Sequence, residues 1–208
     1  MSTMTKMNKG FTLTELLVSI AIVSVILTVV ILNQSKYTDG AALTNLADEI
    51  SLAISQAQAY SIGVREFSPG SSDFTGSYGL HFQTSVGGGA DDSYIFWADR
   101  NGNGIYDNGW SCPLGGGSEC LGKTLITRGN TLSSICLIKP NSSEMCPIGG
   151  IHISFTRPES RAKLIFFNQG GNYMDPQPEN IGVKIRLISP GGLIRSVSVF
   201  NTGQISVQ

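Results

Sequence analysis

Asp99-Arg-Asn101-Gly-Asn103-Gly104-Ile105-Tyr-Asp107 is the stretch whose residue types and spacing could most directly do chemistry. Side-chain oxygens at 99, 101, 103 and 107 could converge on one hard cation. The carbonyl of Ile105 would fill in and Gly104 would permit the bend, as in the first nine positions of a calcium loop. Trp110 occupies the twelfth position, where such a loop needs a bidentate glutamate. Affinity would therefore be weak unless another segment supplies a carboxylate. The plain alternative is an Asn-Gly turn closed by Asn and Asp side chains. No cofactor is required by the sequence, and calcium is the one candidate.

The four cysteines lie between Cys112 and Cys146. Four cysteines permit three pairings. Sequential pairing, Cys112 with Cys120 and Cys136 with Cys146, would staple two local loops, each contributing about 2–3 kcal/mol by loop-closure entropy. Neither spacing resembles C-x2-C and no histidine accompanies them, which disfavours zinc. His81 and His152 both fall in expected strands and read as ordinary sheet residues; a triad or metal centre would require them to converge. Neither G-x-S-x-G nor H-E-x-x-H is present, so the chain is not read as an enzyme. Asn141-Ser142-Ser143 matches a glycosylation acceptor, a short pattern of little weight.

The remaining reactive side chain is Glu15, the single charge between Phe11 and Leu32. That stretch, FTLTELLVSIAIVSVILTVVIL, is long enough to cross the ~30 Å hydrocarbon layer as a helix. Ser19, Ser24 and Thr28 can be satisfied by bonding back to helix carbonyls. Lys6 and Lys9 precede the span without a compensating acid. The positive-inside rule then leaves the leader cytoplasmic and exports the rest. A cleaved secretory signal would have a shorter apolar core and a small-residue cut site. A plain anchor would leave Glu15 unexplained, because a carboxylate in an apolar helix costs about 2.5–3.5 kcal/mol and needs a partner.

Lys9-Gly10-Phe11-Thr-Leu-Thr-Glu15-Leu-Leu-Val followed by an apolar helix resembles the class III signal of type IV prepilins and type II secretion pseudopilins. The resemblance implies cleavage between Gly10 and Phe11 by a prepilin peptidase, then N-methylation of Phe11. It makes Glu15 an assembly residue that neutralises the amine of a neighbouring subunit inside an apolar bundle. It also implies as partners other pilins or pseudopilins, the membrane assembly machinery, and the lipid bilayer before assembly.

Beyond the membrane, residues 41–62 place Leu43, Leu46, Ala47, Ile50, Ala53, Ile54, Ala57 and Tyr60 on one stripe, which predicts an amphipathic helix lying on a domain. Gly40 reads as a joint and Gly63 as the C-cap. From Val64 the punctuation is Gly, Ser, Pro and Asn around short β-type runs. These are 79–84, 93–98, 123–127, 134–138, 151–156, 162–167, 183–189, 193–200 and 204–207. Alternation in Ile151–Phe155 and Val183–Leu187 implies half-buried strands, and Ser189-Pro190-Gly191-Gly192 a hairpin turn. The 41–62 helix, the Tyr94–Asp107 block and the closing strand pair resemble the GspH/FimT type of minor subunit. Residues 111–150 have no counterpart in that resemblance and read as an elaboration.

The expected architecture is α+β and pilin-like: a long N-terminal helix, transmembrane then amphipathic, packed on an antiparallel β-rich domain. Its parts are a leader (1–10), a transmembrane and assembly helix (11–32), an exported amphipathic helix (33–63) and a β-rich domain (64–208). The expected location is a single-pass inner or cytoplasmic membrane, then a periplasmic or cell-surface filament. The expected role is structural or initiating, in a type IV pilus or type II secretion pseudopilus. The alternative is a binding module displayed on the filament, for DNA uptake or adhesion. Nucleic acid is not favoured: the net charge is −1, and only Lys184, Arg186 and Arg195 follow residue 180.

Overall fold

The structure, a computed structural model, describes residues 10–63, 66, 76–113 and 118–208. The leader residues 1–9, with Lys6 and Lys9, lie outside the described residues, as does the expected domain boundary at 64. The chain is one helix, α1 (Leu13–Ile62), followed by ten strands and a short 3-10 turn. It divides into two compact units, Met1–Thr38 and Asp39–Gln208.

In the first unit α1 has no inside. Phe11 is 75% exposed, and the least exposed of the large apolar side chains as far as Ile31 is still 53% exposed. Among the described residues Leu13–Ile31 is the one segment long and apolar enough to cross a membrane. Its polar side chains turn inward on the helix: the hydroxyls of Ser19, Ser24 and Thr28 donate to the carbonyls of Glu15, Ile20 and Ser24 at 2.7, 2.8 and 2.8 Å. That is how a backbone and its hydroxyls are satisfied where no water is at hand.

In the second unit the same helix is one-sided. Leu43, Leu46, Ala47, Ile50, Ile54 and Ala57 are buried, Ala53 and Tyr60 pack beside them, and Leu52 on the opposite side is 70% exposed. The helix runs through Gly40 without a break. Leu193 packs at this point, its Cδ1 3.5 Å from where a Cβ would stand, an ordinary contact that would accept a small side chain. Gly63 ends the helix, its N–H reaching the Ala59 carbonyl at 3.0 Å.

The strands are β1 (Ser77–Gln83), β2 (Ser93–Asp99), β3 (Cys120–Leu125), β4 (Thr131–Ile138), β5 (Glu144–Ile148), β6 (Gly150–Thr156), β7 (Ala162–Phe167), β8 (Gly182–Ile188), β9 (Ile194–Phe200) and β10 (Ile205–Val207). They form two five-stranded antiparallel sheets, ordered β3-β2-β1-β6-β7 and β10-β9-β8-β4-β5. The helix stripe and one face of each sheet merge into a single core, with Leu80, Phe82, Ile153 and Phe166 from the first sheet and Ile135, Leu137, Ile185 and Val199 from the second. The α+β architecture is the one expected from the sequence.

Two expectations change. The alternating strand Ile151–Phe155 is not half-buried: β1, β2 and β6 are buried on both faces, because residues between β2 and β3 cover the outer face of the first sheet around Ile95, Trp97 and Tyr106. By contrast β8 keeps its alternation, with Lys184 and Arg186 outward and both paired to Glu144. Residues 111–150 supply β3, β4 and β5. The expected strands omitted β5, whose Pro147 argues against a strand; β5 is an edge, where the missing N–H leaves no ladder bond unmade.

Candidate functional site

The Asp99–Asp107 loop folds on itself. Asp99 takes the N–H of Gly102 on Oδ1 and that of Gly104 on Oδ2, both at 2.8 Å. The side-chain oxygens of Asn101 and Asn103 accept the N–H groups of Asn103 and Ile105 at 2.9 and 2.7 Å, and both carboxamide NH2 groups donate to Asp107. Thus three of the five expected ligands, Asn101, Asn103 and Asp107, meet through their side chains, while Asp99 holds the loop by its backbone. Gly104 sits at φ +76°, and the Lys163 ammonium fills the space a Cβ would need, bringing a cation of the chain's own to the acidic loop.

A second segment, which the sequence did not single out, brings a further carboxylate to the loop. Glu119 is 3% exposed; its carboxylate accepts the Arg100 N–H at 3.2 Å and the Asp107 N–H at 3.0 Å, spanning both ends of the loop. Burial raises its pKa; the two backbone donors pull the other way, and Asp107 and Asp99 add to the rise. The only hint in the sequence was an acid beside Cys120 in an otherwise glycine-rich stretch. Sequential disulfides form, Cys112–Cys120 and Cys136–Cys146, with Cα separations of 5.2 and 4.5 Å. The first anchors Glu119's neighbour to the end of the covering segment.

Beneath that segment the two histidines do converge. His81 and His152 are register partners on β1 and β6, their ring centroids 4.3 Å apart and nearly perpendicular. His152 Nδ1 accepts the Tyr106 N–H at 3.3 Å, and His81 Nε2 meets Gln83 Oε1 at 3.2 Å. Tyr106, Trp110 and Phe167 ring them. Burial pushes the His81 pKa down to about 4, with Lys123 adding to the fall; burial and then His81 hold His152 well below its usual value. Among the described residues no hydrogen bond joins either ring to a carboxylate, so the pair is a neutral packing element with no general acid–base partner.

The N-terminal site is built by the start of α1. Gly10 and Phe11 precede the helix, and Thr12 caps it: Thr12 Oγ1 accepts the Glu15 N–H at 3.3 Å and donates to Glu15 Oε2 at 3.4 Å. Thr12-Leu13-Thr14-Glu15 thus has the T-x-x-E spacing of a capping box with its threonine half formed, the Glu15 carboxylate taking the Thr12 hydroxyl in place of the Thr12 N–H. It places one carboxylate in the first turn of a helix whose other surroundings are bare apolar side chains. Residues 5–31 match the family model described as the prokaryotic N-terminal methylation motif.

The chain has a prepilin-type N-terminus.

No curated protein and no solved structure matches the chain. The prepilin motif covers Gly10, Phe11, Glu15 and the apolar helix as far as Ile31, and is typical of type IV pilins and pseudopilins. It accords with the exposed apolar surface of this prepilin helix, which is long and apolar enough to cross a membrane once. The motif does not reach the β domain, whose loop, histidine pair and Cys112–Cys120 disulfide lie at the first sheet, while Cys136–Cys146 joins β4 to β5 in the second.

Proposed function

We propose that this protein is a minor pilin or pseudopilin of the GspH/FimT type, with a structural or initiating role in a type IV pilus or type II secretion pseudopilus. A prepilin peptidase cuts between Gly10 and Phe11 and the new N-terminus is methylated. The apolar half of α1 holds the subunit in the membrane, leader inward and β domain exported, until it passes into a filament. There Glu15 neutralises the amine of Phe11 on a neighbouring subunit.

The single observation that carries this reading is the methylation motif running into Leu13–Ile31, a helical segment whose large apolar side chains are all exposed and whose only acid is Glu15. A lone carboxylate in such surroundings is costly, and a cation of opposite charge relieves it. Cleavage removes the leader and creates that cation four positions before Glu15. Export is supported by both disulfides, which persist in oxidising compartments. The test is to co-express the chain with a prepilin peptidase and its sibling subunits and follow processing and recovery in sheared filaments. Glu15→Leu should still be cleaved and inserted but be lost from filaments; undiminished incorporation would refute the assembly role.

A further inference from the structure

The segment between β2 and β3 holds three Asn-Gly pairs: Asn101-Gly102, Asn103-Gly104 and Asn108-Gly109. Asn-Gly is prone to lose its amide spontaneously, because nothing on the glycine hinders its nitrogen from approaching the neighbouring side-chain carbonyl carbon. The reaction strips the proton from the glycine nitrogen and expels the carboxamide nitrogen. Hydrogen bonds that hold those two groups oppose it.

The fold treats the three pairs differently. Asp99 takes both the Gly102 and the Gly104 N–H, each at 2.8 Å, and the NH2 groups of Asn101 and Asn103 donate to Asp107. Gly104 is buried as well, against the Lys163 ammonium. At the third pair, among the described residues, no hydrogen bond takes the Gly109 N–H or the Asn108 NH2. Gly109 is exposed at φ +58°, with open space where a Cβ would stand. The one bond to the Asn108 carboxamide comes from the Glu119 N–H, at 3.3 Å from Oδ1, where negative charge gathers when the carbonyl is attacked. The Ser111 N–H and hydroxyl hold the Asn108 main-chain carbonyl at 3.2 and 2.6 Å; they set the resting plane of the peptide but occupy neither reacting group.

We propose that Asn108 is a self-modification site, and that Asp99 and Asp107 shield Asn101 and Asn103 from the same reaction. The Gly109 nitrogen, its proton passing to water, forms a bond to Asn108 Cγ; the Cγ–Nδ2 bond breaks and ammonia leaves. Water then opens the cyclic imide at one or other carbonyl, leaving aspartate or isoaspartate at position 108. Nothing is oxidised or reduced, and water is the only co-reactant. Either product adds a negative charge beside Asp107 and near Glu119, and the isoaspartate also lengthens the main chain by a methylene group. The cover over the first sheet thus grows more acidic with age at one defined point. This chemistry is independent of the filament role proposed above.

The test ages the purified full-length chain in detergent and mildly alkaline buffer, with its disulfides intact. Peptide mass spectrometry then scores the amide-to-acid change and isoaspartate separately at 101, 103 and 108. In the folded chain Asn108 is expected to convert at least about tenfold faster than Asn101 or Asn103. In the same chain unfolded in urea, where the shielding bonds are gone, the three rates should fall within about threefold of one another. Gly109→Ala should slow conversion at 108 about tenfold and leave 101 and 103 slow, their persistence showing that the variant is folded. Conversion at 101 or 103 as fast as at 108 in the folded chain would overturn the assignment. So would a folded Asn108 still intact when all three sites of the unfolded chain have converted, or the same spread of rates in urea, which would trace the difference to sequence alone.

Discussion

Thr12 and Glu15 hold each other at the mouth of α1: the threonine hydroxyl accepts the Glu15 N–H at 3.3 Å and donates to its carboxylate at 3.4 Å. Glu15 therefore has a local role, as a cap, beside the proposed intermolecular one. Glutamine serves a capping box nearly as well as glutamate but carries no charge. Glu15→Gln should leave the helix start intact while reducing filament incorporation about as severely as Glu15→Ala. Recovery in the sheared fraction reads this; full incorporation of the glutamine variant would mean that capping alone is needed.

The buried histidine pair makes the domain acid-sensitive. His81 has a folded pKa of about 4, below its unfolded value near 6.5, so the unfolded chain binds the proton first. The stability contributed is fully present above about pH 6.5 and is lost as pH falls through 4, amounting to about 3 kcal/mol. His152, lowered for the same reason, adds in the same direction. Thermal unfolding between pH 8 and 4 should show the fall, and His81→Phe should flatten it. An equally steep profile in the variant would assign the acid sensitivity to other groups.

That pairing marks where the sequence stopped being legible. The helix stripe, the prepilin-type start, the β8–β9 hairpin and seven more strands follow local rules of spacing and turn chemistry. The convergence of His81 and His152 depends on β1 pairing with β6, which no local pattern encodes. The same non-local cover over Trp97 turned a half-buried strand into a fully buried one. Glu119 looked like filler inside a cysteine loop, and only the fold carries it to the amides of Arg100 and Asp107.

Because the Asp99–Asp107 loop is closed by its own hydrogen bonds and by Glu119, it should hold its shape without a metal. Excess chelator is expected to leave the unfolding midpoint within about a degree. Glu119→Gln should cost about 1–3 kcal/mol, since the replacement aims an NH2 at a backbone donor. A chelator-induced drop comparable to that of the variant would instead make a bound cation part of the fold.

Export predicts the oxidation state. Both cysteine pairs in mature protein should resist alkylation until reduced, and joint Cys112→Ser, Cys120→Ser replacement should lower stability by about 2–3 kcal/mol. Alkylation of freshly isolated, unreduced protein at all four thiols would contradict an oxidising location.

The central claim is processing at a prepilin site, and intact-mass and N-terminal peptide spectrometry of the assembled chain addresses it most directly. The predicted result is a mature N-terminus at Phe11 bearing one added methyl group on its amine. Recovery of assembled chain beginning at Met1, with the Gly10–Phe11 bond intact, would contradict it.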